Sequence, residues 1–254
     1  MADWSWLQLA VLALAGLVGG FVNTLAGGGS LVTLPALLLL GLPADVANAT
    51  NRVGVLAQSL VAARGLSRDH RLRSVAKGWV VVPALAGSLA GAWIAARIPP
   101  DVLKPLLVAT LIVIAGTLVW KPDVLVKGDV ARRPLDPRAR PLGVPGLFLI
   151  GAYGGFLQVG VGIFLLLFLA SALRYDLLLG NALKSLLVAA LTAVALAVFV
   201  VERQVWWVPG LLMSGAMVAG AQLGVRFALV RGQDAIRKVV FAMVVAACIA
   251  AALR

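Results

Sequence analysis

The segment Gly16-Leu17-Val18-Gly19-Gly20-Phe21-Val22-Asn23-Thr24-Leu25-Ala26-Gly27-Gly28-Gly29-Ser30 decides how this chain is read. It ends an apolar stretch over 6–26, and a helix that crosses a bilayer needs about 20 such residues. Three consecutive glycines do not sit in a continuous helix, since each is about 1 kcal/mol less favourable there than alanine. Irregular backbone at membrane depth survives only where protein buries it or where it lines a cavity. Ser30 is placed to cap a new, short helix over 31–42, leaving that helix's first N–H groups free. Those donors and the positive end of the helix dipole suit an anion. Close packing through small residues is the competing reading of the glycines, and it is the reading for Gly16-xxx-Gly20 and Gly87-xxx-Gly91.

The rest of the chain agrees with a membrane setting. Of its 254 residues, 62% are hydrophobic and 13% charged, and the mean hydropathy is +1.03. A water-soluble globule of this size exposes too much of its surface to carry that composition. Disorder, collagen, a disulfide scaffold and an ordinary cytosolic enzyme are excluded. The apolar stretches are too long and continuous for an outer-membrane barrel. Further stretches run over 46–63, 75–98, 102–120, 144–172, 177–201, 205–230 and 235–253. The first reads as a structural helix and not as a removed signal. The net charge of +12 is concentrated between these stretches, as in cytoplasmic loops, which argues against nucleic acid as a partner. Residues 64–77 hold Arg64, Arg68, Arg71, Arg73, Lys77 and the single histidine, His70; residues 121–141 hold six further cations and four prolines. The expected organisation is a first repeat over 1–120, a basic cytoplasmic linker over 121–143 and a second repeat over 144–254.

The two repeats are legible in the sequence. Gly16, Gly19, Gly20, Phe21 and Asn23 recur 135 positions later as Gly151, Gly154, Gly155, Phe156 and Gln158, and Gly27 falls on Gly162. Arg52 falls on Lys184, Gly91-Ala92 on Gly220-Ala221, and Arg97 on Arg226. Duplication at this scale is typical of secondary transporters. The basic loop 64–77 has only Glu202-Arg203-Gln204 as its counterpart, whereas 97–104 corresponds to a stretch with Arg226, Arg231, Arg237 and Lys238. The positive bias has moved to the other loop, which fits halves of opposite orientation. The expected fold is therefore an all-α polytopic membrane protein. It has two homologous halves, inverted repeats of about five membrane segments each, with glycine-broken re-entrant or discontinuous helices. About eight parallel spans is the rival arrangement.

A second motif opens the segment after each break. In half one it is Asn48-Ala49-Thr50-Asn51-Arg52, and in half two Asn181-Ala182-Leu183-Lys184-Ser185. A charged side chain within a span costs about 2.5–3.5 kcal/mol on insertion scales. Its presence at one place in both halves argues for use: two cations facing each other across the repeat interface form an anion site. Snorkelling of both heads to the headgroup region is the alternative. The candidate binding residues are Asn23, Thr24, Gly27, Gly28, Gly29 and Ser30, with Asn48, Thr50, Asn51 and Arg52. In half two they are Gln158, Gly160, Gly162, Asn181, Lys184 and Ser185. The break at Gln158–Gly162 has fewer glycines and is expected to be the shallower one. No acid falls mid-span: Asp45 and Asp176 precede their helices, where a role as N-caps suffices. His70 lies in a loop and Cys248 is alone, so no Ser–His pair and no thiolate metal site can be built in the membrane. These residues call for no catalytic group, no metal and no cofactor. The seven tryptophans gather at segment ends, as an aromatic belt does.

The run Ala15–Leu42, with its glycine turn, Leu34-Pro35 and Leu40-Gly41-Leu42-Pro43, followed by Ala47–Arg52, resembles the TauE/SafE family of membrane permeases. In half two Ile163 follows Gly162, where the stronger form of the motif has another glycine. The resemblance implies transport of a sulfur-containing anion, sulfite or an organosulfonate, usually by export, from a multi-pass protein of the inner membrane. Alternating access would come from one half rocking against the other. A passive anion channel, or an uptake permease for another small oxyanion or carboxylate, are the alternatives. The expected partners are a small anionic substrate and the lipid bilayer; a coupling proton or sodium ion and assembly as a homodimer are left open.

Overall fold

Ser5 opens α1 (Trp6–Leu25) with a reciprocal cap: its side chain accepts from the Gln8 N–H, and Gln8 Oε1 accepts from the Ser5 N–H at 2.9 Å. The chain is represented by a computed structural model that describes residues 5–66, 78–120 and 135–252. After α1 come α2 (Ser30–Leu39), α3 (Ala44–Leu66), α4 (Gly78–Ala95), α5 (Pro100–Trp120), α6 (Gly143–Phe156), α7 (Val161–Ser171), α8 (Leu177–Val201) and α9 (Trp207–Ala252). One 3-10 turn, Pro137–Ala139, precedes α6, and the described residues contain no strand. Most of the basic segments at 64–77 and 121–143, and the side chain of Cys248, lie outside the described residues.

Among the described residues, four stretches are long and apolar enough to cross a membrane: Trp6–Leu25, Gly78–Ala95, Leu179–Val201 and Trp207–Val230. The segment 144–172 divides into α6 and α7. The segments 205–230 and 235–253, expected as two, form the single 46-residue α9. The reason is local: Pro99-Pro100 breaks the chain between α4 and α5, whereas Arg231-Gly232-Gln233-Asp234 contains no proline to remove a helical hydrogen bond. Asp176 caps α8, accepting from the Leu179 N–H at 2.8 Å. Asp45 does not cap α3; it falls within the first turn, where its charge still favours the helix dipole.

Glycines set the helix pairing. A Cβ on Gly16 or Gly20 of α1 would strike the carbonyls of Met213 or Met217 in α9, and one on Gly220 would strike the Leu17 carbonyl. A Cβ on Gly87 or Gly91 of α4 would strike the carbonyls of Phe148 or Ala152 in α6, and one on Gly151 or Gly155 would strike those of Ala84 or Ser88. Each pair is two parallel helices in backbone contact through small residues four apart, as small-xxx-small motifs allow in membranes. Both pairs join a helix of the first half to one of the second. Helix α3 packs against α8 and α9, and α8 packs against α3 and α4. Polarity is inverted relative to a soluble protein: Trp6, Val82, Ile112, Leu149 and Val230 are exposed while Arg52 and Lys184 are buried. Trp6, Trp79, Trp93, Trp206 and Trp207 are all exposed, as a headgroup belt requires.

The end of α8 offers a local test. Glu202 is its C-cap, and Arg203, one residue further, has φ +55, the left-handed conformation that glycine adopts without penalty. Arg203→Gly is expected to raise the melting temperature, by about 1 kcal/mol of stability. A differential scanning measurement in detergent that shows a drop contradicts this.

Candidate anion site at the two helix breaks

Helix α1 stops at Leu25 and α2 starts at Ser30; α6 stops at Phe156 and α7 starts at Val161. The breaks are of equal length, and the second is as sharp as the first. Gly27 has φ +86, Gln158 has φ +63 and Gly160 has φ +65. Gln158 carries a side chain in a conformation glycine prefers, so the shallower break expected from fewer glycines is corrected: backbone context overrides composition there. By position and conformation Gln158 is the counterpart of Gly27, so the pairing of Gly27 with Gly162 is corrected too. The packing glycines repeat at 135 positions but the helix ends at 131, so α6 ends one turn early. Gly27 nevertheless touches Gly162: a Cβ on Gly162 would lie 2.6 Å from the Gly27 Cα. Close packing is thus one use of the triglycine run. Ser30 is the first residue of α2 and not its cap, which is Gly29.

A helix cut inside a membrane leaves its last carbonyls without partners, and lipid supplies none. Each half closes the other's cut. Arg52 of α3 donates from Nη1 to the Gly154 carbonyl at 2.9 Å and from Nη2 to those of Gly155 and Phe156 at 2.7 and 3.3 Å. Asn48, one turn earlier, donates to the Phe156 carbonyl at 2.9 Å. Reciprocally, Lys184 Nζ of α8 donates to the carbonyls of Asn23 and Thr24 at 2.9 and 3.3 Å, and Asn181 Nδ2 donates to Thr24 at 2.9 Å. Each cation therefore sits at the negative end of a broken helix. The Arg52 guanidinium also lies 4.8 Å from the Phe199 ring centroid. Arg52 is 0% and Lys184 1% exposed, so neither snorkels. Among the described residues no Asp or Glu is buried, and neither cation has a carboxylate partner.

Donors are left over. Arg52 Nε is buried without a partner. The Lys184 ammonium has three N–H groups and two carbonyl acceptors. Around the first break, Asn51 accepts from Thr33 Oγ1 at 2.7 Å and donates to Ser30 Oγ at 3.1 Å, while Asn23 Oδ1 accepts from the Gly29 N–H at 3.2 Å. Around the second, Gln158 Nε2 donates to Thr192 Oγ1 at 2.8 Å. Thr33 and Thr192 were not legible as site residues, because an isolated threonine in an apolar run carries no signal of what it faces.

Other candidates are turned elsewhere. The Thr50 hydroxyl accepts from the Trp206 N–H at 3.0 Å, ahead of α9. Thr24 Oγ1 and Ser185 Oγ donate to carbonyls one turn back in their own helices, at Gly20 and Asn181. Gly28 and Gly160 contribute backbone only. The arrangement is a cationic interior, free of carboxylates among the described residues, with unspent donors that are fit to hold an anion.

A family model described as sulfite exporter TauE/SafE matches residues 12–251. The chain is 32% identical over 260 residues to a probable membrane transporter protein, ORF9, of a Sinorhizobium species, an alignment covering 100% of this chain and 94% of that protein. It is 27% identical to a probable membrane transporter protein of Haemophilus influenzae, covering 92% of this chain and 91% of that one. It is 28% identical to the probable membrane transporter protein YfcA of Escherichia coli K12, covering 92% and 86%. No solved structure matches.

Proposed function

Because the chain belongs to the sulfite exporter TauE/SafE family, we propose that it is a secondary transporter for a small sulfur-containing anion, sulfite or an organosulfonate, working as an exporter in the inner membrane. The observation that carries this is the pair Arg52 and Lys184: fully buried, without a carboxylate partner among the described residues, and each with an N–H to spare. A buried cation without a counter-ion is costly in a membrane and marks a substrate path. The substrate oxygens would be held by those donors together with Asn23, Gly27, Gly28, Gly29, Ser30, Asn48, Asn51, Gln158, Gly160, Gly162 and Asn181.

The two repeats, 1–120 and 144–254 joined by the linker 121–143, are taken as inverted. Support comes from the packing: α1 runs parallel to α9 and α4 to α6, and each pair makes the same glycine contact between halves. Support also comes from the ends: Arg97 and Glu202 pair at 3.2 Å, and Gln204 donates to the Ala96 carbonyl, so the loops after α4 and α8 share one end. The Leu135 N–H donates to the Leu173 carbonyl and Arg138 lies over Trp79, so the start of α4 shares the other end with the approach to α6. These locked cross-pairs are incompatible with one half rocking as a body. The moving bodies are instead composites, α1, α2, α3 and α9 against α4, α6, α7 and α8. Arg52 and Lys184 each reach from one body to the other, where an anion held by both would bridge them.

The test is counterflow in proteoliposomes: radiolabelled sulfite outside, unlabelled sulfite inside. A carrier accumulates label transiently and saturates. Conductance without counterflow supports the channel reading, and neither signal for any sulfur anion overturns the proposal.

A further inference from the structure

Two buried amide oxygens in this site have no partner, Gln158 Oε1 and Asn181 Oδ1; the Gln158 amide can turn over, because the Thr192 hydroxyl it meets can donate as well as accept, but the Asn181 amide cannot. Asn181 Nδ2 is fixed on the Thr24 carbonyl, since turning the amide over would set two carbonyl-type oxygens against each other. Its Oδ1 is therefore the atom left over, buried and without a partner, in a residue 1% exposed. The carboxamide that carries it stands beside the Lys184 ammonium, because its Nδ2 and the Lys184 Nζ donate to the same Thr24 carbonyl. A site with a cationic donor and an adjacent orphaned acceptor is satisfied by a ligand that accepts with one atom and donates with another. A fully ionised oxyanion offers that acceptor only lone pairs.

Resting on the anion-transport reading, we infer that the break after α1 selects an anion that still carries a proton: hydrogen sulfite, with its O–H given to Asn181 Oδ1 and a sulfur-bound oxygen taken by Lys184, over the sulfite dianion. The proton then travels with the substrate, and no intramembrane acid is needed to carry it. Of the helices packed on α8, α1, α4 and α7 hold no titratable side chain; α3 brings Arg52 to the interior and holds Asp45 and Arg64 near its ends; α6 brings Tyr153, whose hydroxyl donates to the Val159 carbonyl. Sulfite itself titrates near neutrality, so the substrate changes form across an accessible pH range.

The experiment is sulfite counterflow from pH 6 to pH 8.5, with methanesulfinate, a monoanion of similar size that has no proton to donate, as competitor. KM expressed as total sulfite is expected to rise about tenfold per pH unit on the alkaline side, as the hydrogen sulfite fraction falls. Methanesulfinate is expected to inhibit at least about fivefold more weakly than its size predicts, because an unfilled buried acceptor is penalised. Asn181→Ala is expected to bring the two ligands to within about twofold of each other, a ratio that a purely structural role leaves unchanged. A KM flat with pH, or methanesulfinate competing as well as sulfite on wild-type protein at pH 6, overturns the inference, and the wild-type comparison decides it even if the variant fails to fold. Absence of sulfite counterflow at every pH instead overturns the transport reading.

Discussion

Arg52→Ala is expected to abolish anion counterflow and to lower the melting temperature by about 10 °C. The two effects have one source. The side chain closes the end of α6 with three hydrogen bonds to Gly154, Gly155 and Phe156. Alanine leaves those buried carbonyls short of partners, at about 1–3 kcal/mol for each group left unsatisfied. It also removes the unspent Nε donor. Arg52→Lys separates the roles. An ammonium can keep part of the closure, as Lys184 does at α1, but it lacks the second arm of the guanidinium fork. The expected result is recoverable protein with a sulfite KM raised about tenfold or more. Lys184→Ala should behave as Arg52→Ala does, and Lys184→Arg should be the milder change. Wild-type kinetics in Arg52→Ala would remove this residue from the site.

Gly91→Leu, and its partner change Gly20→Leu, are expected to yield no monodisperse protein in detergent. The new side chains would have to occupy the positions of the Ala152 and Met217 carbonyls, and backbone does not yield as a side chain does. Overpacking a core costs about 1–3 kcal/mol where neighbours can move; here two helices must separate along their length. Gly215 in α9 is the control, because nothing lies within 4 Å of a Cβ built there. Gly215→Ala is expected to be neutral or to add up to about 1 kcal/mol, from helix propensity alone. Size-exclusion profiles of the three variants check this, and normal assembly of Gly91→Leu contradicts the interlocked pairing.

The duplicated glycines and the pair Arg52 and Lys184 were readable from residue identity, because glycine and a charged group in an apolar span carry a cost that needs a reason. Identity did not say which reason. The glycines at 16, 20, 151 and 155 repeat because they pair helices across halves, which a list of positions within each half does not show. The two cations were expected to face a ligand; they also face the carbonyls of the opposite broken helix, a need that arises only once the chain is known to stop at Leu25 and Phe156. The four-residue slip at the second break was illegible because Gln158 looked like the mate of Asn23, both being amides. Conformation, not chemistry, makes Gln158 the mate of Gly27.

Sulfite binding to purified protein, followed by thermal shift, bears most directly on the claim that an anion sits between Arg52 and Lys184. Any ligand that binds only the folded state raises its stability by mass action, about 2.7 kcal/mol at a hundredfold excess over Kd. A dose-dependent rise is expected for the wild type, reduced for Arg52→Lys and for Lys184→Arg, and absent when both residues are replaced by glutamine. An undiminished rise in the folded double glutamine variant would contradict the claim.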